Sequence, residues 1–383
     1  MTTTGSTNQK MTGEKVNDSC KNIENGCQDC YKEEEAFVPF AHGNVKKVNF
    51  VYTYKCLSSC DHCCFECSPT REETLGFEAA RKCIIDAAEK NCKYIGFTGG
   101  ECLLFTDDTV RLVREASSLG LEPGITTNAY WAITTARTRE LTELLVDAGL
   151  KNIIISADPF HQKFIALDNV HRAIDELLRC KVHIQIEMHM NGLRDTEFHK
   201  MRKEFQKYLD NNTSVTIRVG HSAPCGRWEK HRYRLPHVCR DKIDVCKLGF
   251  DITIFPNGDV FPCCSGMINE LIKLEEEPSI LWLGNVHKHP LSEIIECAEM
   301  SPILNALRIT GPNGLLDIWG SNGIADGIPL RFCGMCDLCI AISKVLPKRT
   351  GALLKYEFDG SDENIRLRLQ QSWNERLRLF PHP

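Results

Sequence analysis

"VNFVYTYKCLSSCDHCCFEC", residues 48–67, joins an apolar run to five cysteines that lie within twelve residues. Its first seven residues have the β-branched and aromatic composition of a buried strand. The first three thiols, Cys56, Cys60 and Cys63, follow with the spacing C-x3-C-x2-C, whereas Cys64 and Cys67 follow no obvious rule. Such a cluster has four explanations: a disulfide knot, a zinc site, an iron–sulfur cluster, or chance.

Composition narrows these explanations. The chain has 383 residues, enough for a large core and two domains, with 42% apolar and 25% charged residues, as in globular proteins. The net charge of -5 and the lack of a basic block argue against a nucleic-acid partner. The N-terminus has no apolar signal-peptide core, and no run of about 18 apolar residues occurs. We therefore expect a cytoplasmic protein without a membrane span.

The cysteine count points to metal ligands. Twenty-one cysteines in a chain without an export signal indicate metal sites rather than disulfides, and an odd number fits poorly with complete pairing. Several thiols in helix-like stretches, such as Cys83, Cys92 and Cys180, are instead expected to be small buried apolar residues.

A regular alternation of β-rich runs and helical patterns begins at residue 45. The six runs are VNFVYTY (48–54), YIGFTGG (94–100), GITTNA (124–129), NIIISAD (152–158), VHIQIEMHM (182–190) and SVTIRVG (214–220). Between them apolar residues recur at helical spacing, and Gly120 and Gly149 stand where helix C-terminal glycines are expected. Six βα units predict an α/β fold with a parallel sheet, either doubly wound or an open, partial barrel. In both, ligands bind at the carboxyl ends of the strands.

The rest of the chain has a different composition. The predicted parts are a polar, largely disordered segment (1–44), the βα region (45–221), a smaller cysteine-bearing domain (222–345) and a tail (346–383). The stretch 221–239 resembles a linker or loop-rich insertion, and a hairpin is predicted to turn at Asn257-Gly258. The tail contains an amphipathic helix pattern at 364–380, which is expected to pack on the protein or to contact a membrane or partner.

Three thiolates on one loop suit a [4Fe–4S] cluster, which would keep one iron open to a small chelating molecule. Zinc normally takes four ligands, and Cys64 or Cys67 could supply a fourth, so the loop alone leaves zinc open. The next strand ends in TGGEC (98–102). Its two glycines allow close backbone approach to a ligand, and Glu101 is an acceptor suited to an ammonium group.

This combination resembles the radical S-adenosylmethionine (AdoMet) enzymes, over roughly residues 46–221. The resemblance implies a partial (β/α)6 barrel, a [4Fe–4S] cluster and AdoMet as cofactors, and anaerobic chemistry. In that family the reduced cluster cleaves AdoMet to a 5′-deoxyadenosyl radical that takes a hydrogen atom from the substrate. A flavodoxin- or ferredoxin-type protein is the expected electron donor.

The resemblance also implies roles for particular residues. The cluster ligands would be Cys56, Cys60 and Cys63, and the segment that binds the AdoMet amino group would be Gly99, Gly100 and Glu101. Further AdoMet contacts are expected from His62, Asn128, Ser156, Asp158, Glu187 and Arg218. His161, in the loop after the fourth strand, is a candidate proton acceptor or substrate clamp, or else an ordinary hydrogen-bonded loop histidine.

The sequence departs from the family pattern at three positions. His62 stands where an aromatic residue usually lies beside the adenine, and a histidine there could stack but also titrates. Ala129 replaces the usual glycine after Asn128, and Cys102 replaces the common proline after Gly-Gly-Glu. None of the three removes a cluster ligand.

The second cysteine set is similar to the C-terminal extensions called SPASM and twitch, which carry auxiliary iron–sulfur clusters. A complete SPASM domain has seven cysteines, whereas five are placed here, so a twitch-like domain with one auxiliary [4Fe–4S] cluster is expected. The implied ligands are Cys246, Cys263, Cys333 and Cys336, with Cys339 as an alternative fourth ligand or a spare thiol. The same spacings could also build a zinc ribbon.

Three functions remain open from the sequence. The first is modification of a ribosomally made precursor peptide, by crosslinking or by oxidation of a side chain. The second is oxidation of a small molecule such as an aminocyclitol or sugar alcohol. The third is a non-catalytic iron–sulfur or zinc protein for redox sensing or binding, which would bind no AdoMet and give Glu101 no role.

Overall fold

The computed structural model describes most of the chain between residues 45 and 345. The ranges outside the description within that span are 191–194, 211, 222–223, 236, 241–242, 244–250, 264–267, 269–278, 280, 302–303, 305–306, 308–310, 315 and 317–327. The predicted disordered segment (1–44), Cys246 and the predicted tail helix (364–380) lie outside the described residues.

Six parallel strands form the centre of the molecule, as predicted. They are β1 (Lys47–Thr53), β2 (Tyr94–Gly99), β3 (Glu122–Thr127), β4 (Asn152–Ser156), β5 (His183–Met190) and β6 (Val215–His221). The helices between them are α1 (Phe77–Glu89), α2 (Thr106–Ser118), α3 (Thr135–Asp147), α4 (Leu167–Arg179) and α5 (Thr196–Leu209). The strands pair in sequential order, β1 to β6. A doubly wound sheet reverses its order at a switch point, so the sequential order identifies the open, partial barrel.

The C-terminal region adds strands to the same sheet. Its elements are β7 (Val238–Cys239), β8 (Asp251–Ile254), β9 (Asp259–Phe261), β10 (Gly284–Asn285), α6 (Leu291–Met300), β11 (Arg331–Phe332) and α7 (Met335–Val345). Strand β8 pairs in parallel with β1, giving the order β10-β9-β8-β1-β2-β3-β4-β5-β6, while β7 and β11 form a separate antiparallel ribbon. The predicted hairpin is confirmed: β8 and β9 are antiparallel around Gly258, whose φ is 85°.

The core lies between the sheet and its helices. Phe50 of β1 stacks on Phe97 of β2 with ring centroids 5.5 Å apart. Helix α4 buries Val170, Ile174 and Leu177, the spacing of an amphipathic helix on a sheet. Two of the cysteines expected to serve as small apolar residues, Cys83 and Cys92, are buried, and Cys180 is half-buried. No helix in the described part of the chain is long and apolar enough to cross a bilayer.

Glycines at the end of β2 bring that strand close to the chain leaving β1. The Gly100 amide donates to the Thr53 carbonyl at 2.7 Å, and the next amide, of Glu101, donates to the Lys55 carbonyl at 2.8 Å. A Cβ at position 100 would overlap the Lys55 carbonyl. The two hydrogen bonds fix Glu101 beside the cysteine loop.

Gly100→Ala is expected to lower the free energy of unfolding by about 2–3 kcal/mol, because the obstacle is backbone that cannot rotate away. Gly120 is the matched control, since its φ of 81° disfavours alanine but its Cβ would meet nothing within 4 Å. Gly120→Ala should cost only about 1 kcal/mol. Urea denaturation of both variants measures the difference, and equal losses would contradict the close approach at Gly100.

Candidate functional site

The three cysteines of the C-x3-C-x2-C motif lie on one loop after β1. Cys56 and Cys60 are buried and Cys63 is half-buried. The loop folds on its own sulfurs: the Ser58 amide donates to Cys56 Sγ and the Cys67 amide to Cys63 Sγ, each at 3.4 Å. Burial raises the pKa of Cys56 to about 11, and burial together with the neighbouring thiols Cys63 and Cys56 raises the pKa of Cys60. Thiolates so placed need a bound metal to offset their desolvation.

Arg227 holds this loop from the other side. It lies on a 3-10 helix (Gly226–Arg234) within the stretch that the sequence suggested was a linker. Its guanidinium donates to the carbonyls of Cys60 and Cys67, each at 2.8 Å, and its amide donates to the Cys63 carbonyl at 3.3 Å. The neighbouring Trp228 packs with Cys60 in a small apolar cluster.

Arg227→Gln is therefore expected to speed the loss of a loop-bound cluster. A hydrogen bond from a charged donor contributes about 1.5–3 kcal/mol, so iron release to a chelator should become at least about tenfold faster. Arg139→Gln, which removes an ion pair between Arg139 of α3 and the buried Glu176 of α4, is the control and should release iron at the wild-type rate. Equal rates for both variants would show that Arg227 does not secure the loop.

The surroundings of Glu101 are those of a carboxylate that binds a cationic ligand. It is fully buried and accepts hydrogen bonds from Thr127 Oγ1 at 3.0 Å and from the Asn128 amide at 2.9 Å. Burial raises its pKa to about 7. Among the described residues, no lysine or arginine forms an ion pair with it. A ligand ammonium group would supply the missing charge.

The end of β3 meets the cysteine loop. Asn128 Nδ2 lies 3.7 Å from Cys56 Sγ, and the Trp131 indole donates to Thr127 Oγ1 at 3.1 Å, which fixes the hydroxyl beside Glu101. Ala129 has a φ of 61°, so the left-handed backbone that usually takes glycine is kept here with an alanine. The ends of β1, β2 and β3 thus converge on one point.

A buried aspartate joins the ends of β4 and β5 to the cysteine loop. Asp158 accepts hydrogen bonds from His161 Nδ1 at 3.0 Å and from the His189 amide at 3.2 Å, and its other contact is His62 Nε2 at 3.7 Å. His62 stacks on Phe160 with centroids 4.5 Å apart. Asp158 and His161 lie at the carboxyl edge of the sheet beside His62 of the cysteine loop, whereas the sequence analysis made no prediction for His189.

Asp158 and the two histidines beside it, His62 and His161, differ in charge. Burial alone would raise the pKa of Asp158, but the charge of His161 and its hydrogen bond hold that pKa well below its usual range. Burial likewise opposes the charged form of His161, yet Asp158 raises its pKa. His62 lacks such a close partner, and burial lowers its pKa well below the ordinary value. The group is an Asp158–His161 ion pair beside a neutral His62.

Three more of the predicted residues form a row across the outer strands. Ser156, Glu187 and Arg218 are directly opposite one another on β4, β5 and β6. The Glu187 carboxylate lies 3.8 Å from Arg218 Nε and 3.5 Å from His189 Nε2. The structure therefore brings them to one face of the sheet, as the sequence suggested.

The cysteines of the C-terminal motif lie around the β7–β11 ribbon and α7. Cys333 follows β11, and its Sγ lies 3.4 Å from His237 Nε2. Cys336 and Cys339 lie three residues apart on α7, so they share a helix face, and Cys263 lies just after β9. Asp337 accepts from the Cys333 amide at 3.1 Å and pairs with Arg232, which ties this region to the 3-10 helix.

Unpartnered polar atoms mark the carboxyl edge of the sheet as a ligand site. Buried polar atoms in folded proteins nearly always have a hydrogen-bond partner. Around the cysteine loop and the ends of β4 and β5, the described residues with buried, unpartnered side-chain atoms are Ser58, His62, Gln162, His189 and Trp228. Together with three thiols and a buried carboxylate that no described lysine or arginine pairs with, these atoms fit a polar, cationic cofactor bound to an iron–sulfur cluster.

Comparison with known proteins completes the assignment. Residues 246–339 match the SPASM family, described as an iron–sulfur cluster-binding domain. This match accompanies the cysteine triad and Gly-Gly-Glu at the ends of β1 and β2 of a six-stranded parallel sheet. The chain therefore combines a SPASM region with a cysteine triad and a Gly-Gly-Glu that resemble those of the radical AdoMet enzymes. The SPASM match supports an auxiliary iron–sulfur cluster, and the residues at the ends of β1, β2 and β3 fit a [4Fe–4S] cluster with AdoMet.

The chain also resembles a bacterial protein over most of its length. It is 23% identical over 299 residues to "Putative peptide biosynthesis protein YydG" of Bacillus subtilis (strain 168), covering 77% of this chain and 91% of the relative. Among solved structures, AdoMet-bound SuiB of Streptococcus suis is 11% identical, with a TM-score of 0.41 over 70% of this chain and 68% of SuiB. BtrN in complex with AdoMet and 2-DOIA is 14% identical, with a TM-score of 0.45 over 71% and 91%.

Several residues of the site have no signal in the sequence. Arg227 reaches the cysteine loop from about 160 positions away, and no local pattern announces such a contact. His237 likewise depends on the β7–β11 pairing. His189 is the exception, because it lies two residues after Glu187 on one strand and therefore on the same face. Strand alternation could have identified it.

Proposed function

We propose that this protein is a radical AdoMet enzyme that modifies a ribosomally synthesised peptide, either by crosslinking or by oxidation of a side chain. The observation that carries the proposal is the resemblance to the peptide biosynthesis protein of Bacillus subtilis, which extends over 91% of that relative. The match extends over 299 residues, or 77% of this chain, so it concerns far more than one motif.

The cofactor roles follow from the site. Cys56, Cys60 and Cys63 would hold the cluster, and Glu101 would accept the AdoMet amino group with Thr127 orienting its carboxylate. Bound together, cluster and AdoMet supply a radical that removes a hydrogen atom from the substrate. His62, stacked on Phe160, would line the adenine side.

The substrate side of the site would be formed by the β4 and β5 ends. Asp158 accepts from Nδ1 of His161, so Nε2 is the ring atom left for the substrate, and we assign His161 the role of substrate clamp. The row across β4, β5 and β6 would offer one negative side chain, Glu187, one positive side chain, Arg218, and the hydroxyl of Ser156. These groups could bind the AdoMet ribose or a peptide backbone. The protein's part is to hold a C–H bond near the reacting carbon and to exclude water.

The auxiliary cluster would be held by Cys263, Cys333 and Cys336 with Cys246, or with Cys339 in place of one of them. We propose that it accepts the electron left on the substrate after hydrogen abstraction. A flavodoxin- or ferredoxin-type protein would reduce the cluster at the cysteine loop.

The test is to measure turnover under anaerobic conditions with dithionite, AdoMet and synthetic peptides. The peptide sequences are those of short open reading frames beside the gene for this protein. We expect one peptide to increase the formation of 5′-deoxyadenosine, and mass spectrometry should show that this peptide has lost hydrogen atoms. In the His161→Ala variant the peptide should no longer increase 5′-deoxyadenosine formation. Stimulation by aminocyclitols or sugar alcohols, with no response to any peptide, would contradict the peptide proposal and favour a small-molecule oxidase.

A further inference from the structure

A second metal-ligand set overlaps the cysteine triad. Cys60, His62 and His161 each offer one ligand atom, and the three atoms lie within 4.8 Å of one another. Cys60 is buried, and both histidine side chains are mostly buried. One sulfur and two imidazole nitrogens are a donor set that zinc and ferrous iron accept.

The two histidines are held in place for coordination. Asp158 accepts from Nδ1 of His161 at 3.0 Å, the carboxylate–histidine arrangement that orients a metal-binding imidazole and leaves Nε2 for the ion. An ion pair between Lys163 and Asp61, at 2.8 Å, ties the loop that carries His161 to the loop that carries His62. Asp158 thus orients the His161 ring without a metal.

An independent observation indicates that a ligand is missing. Nδ1 of His62 is buried and has no hydrogen-bond partner, although its ring stacks on Phe160. A buried imidazole nitrogen without a partner costs free energy unless an ion or ligand binds it.

We propose that Cys60, His62 and His161 bind a single divalent transition-metal ion, Zn²⁺ or Fe²⁺, when the [4Fe–4S] cluster is absent. Water would complete the coordination, and Cys60 would release its thiol proton and His161 the proton on its Nε2 to the solvent. No electron transfer is involved. Because Cys60 is a ligand in both sites, the ion and the cluster cannot be bound at the same time. Only this mutual exclusion rests on the proposed cluster ligands.

The ion bound by Cys60, His62 and His161 would determine whether a [4Fe–4S] cluster can assemble on the cysteine loop. A ferrous ion bound there would be the first iron delivered, already attached to one cluster cysteine. Zinc at the same place would block cluster assembly. The site therefore predicts that excess zinc inhibits reconstitution and that the two histidines are responsible.

Cobalt binding to cluster-free protein tests the site directly. Titration of the wild type with Co²⁺ under anaerobic conditions should give one equivalent, with the visible bands of a tetrahedral ion and a sulfur-to-cobalt band. His161→Asn and His62→Phe should each weaken binding by about 100-fold, and Asp158→Asn by about 10–100-fold. His171→Gln is the control, because this half-buried histidine of α4 bonds Tyr208 and lies outside the ligand set.

Two further measurements keep the test decisive. X-ray absorption of the zinc-loaded wild type should show nitrogen as well as sulfur ligands, which does not depend on any variant folding. Zinc should slow cluster assembly in the wild type and much less in His161→Asn. Unchanged cobalt affinity in folded histidine variants, or a sulfur-only shell, would overturn the proposal, since the cysteines alone would then hold the ion. None of these readouts needs AdoMet or a peptide, so they stand apart from the proposed function.

Discussion

Anaerobically reconstituted protein in which Cys56, Cys60 and Cys63 are all alanine is expected to hold about four irons, against about eight in the wild type. It should also form no 5′-deoxyadenosine. The three thiols lie on one loop, whereas the described auxiliary thiols lie just after β9, just after β11 and on α7. Losing the first cluster should therefore leave the second intact.

The control removes three thiols from helical regions away from the site. The Cys83→Ala, Cys92→Ala, Cys180→Ala variant should keep about eight irons and full AdoMet cleavage, although burial of the first two predicts some loss of stability. Iron and sulfide analysis measures the outcome. Retention of about eight irons by the first triple variant would mean that other cysteines hold both clusters.

Glu101→Gln is expected to weaken AdoMet binding by about 100-fold or more while iron content stays unchanged. The carboxylate is fully buried, and among the described residues it has no lysine or arginine partner. Truncating one member of a buried charge pair costs about 2–5 kcal/mol, because the other charge is left unpaired. The glutamine keeps one acceptor oxygen for the Thr127 hydroxyl and the Asn128 amide, so the fold should survive.

Calorimetric titration with AdoMet measures the affinity of Glu101→Gln, and two further variants serve for comparison. Thr127→Val removes the orienting hydroxyl but keeps the charge, so it should weaken binding by only about tenfold. Glu176→Gln removes a carboxylate from the ion pair with Arg139 and should bind AdoMet like the wild type. Wild-type affinity in Glu101→Gln would assign Glu101 a structural role, that of joining β2 to β3.

The barrel could be predicted from the sequence because each of its strands is a local pattern. The six runs fall within two residues of the observed strands, and parallel strands necessarily place their carboxyl ends at one edge. The choice between barrel and doubly wound sheet could not be made, since strand order is a long-range property. For the same reason the pairing of β8 with β1, across about 200 residues, had no signal.

The site was predicted in part. Motif spacing located the thiols, Glu101 and Asp158, because a ligand site at strand ends follows from the topology. The burial of Glu101, which raises its pKa to about 7, depends on how β3 and the cysteine loop close around it. The guanidinium of Arg227 depends on a 3-10 helix from outside the barrel. Contacts of this kind arise from packing and have no sequence period.

The most direct test of the account is product analysis of the reconstituted wild-type protein with AdoMet and a reductant under anaerobic conditions. The account predicts 5′-deoxyadenosine and methionine in equal amounts, formed by the wild type and not by the Cys56, Cys60, Cys63 alanine variant. A protein that contains iron but forms no 5′-deoxyadenosine, or one that contains zinc in place of iron, would contradict it and would indicate a non-catalytic metal-binding protein.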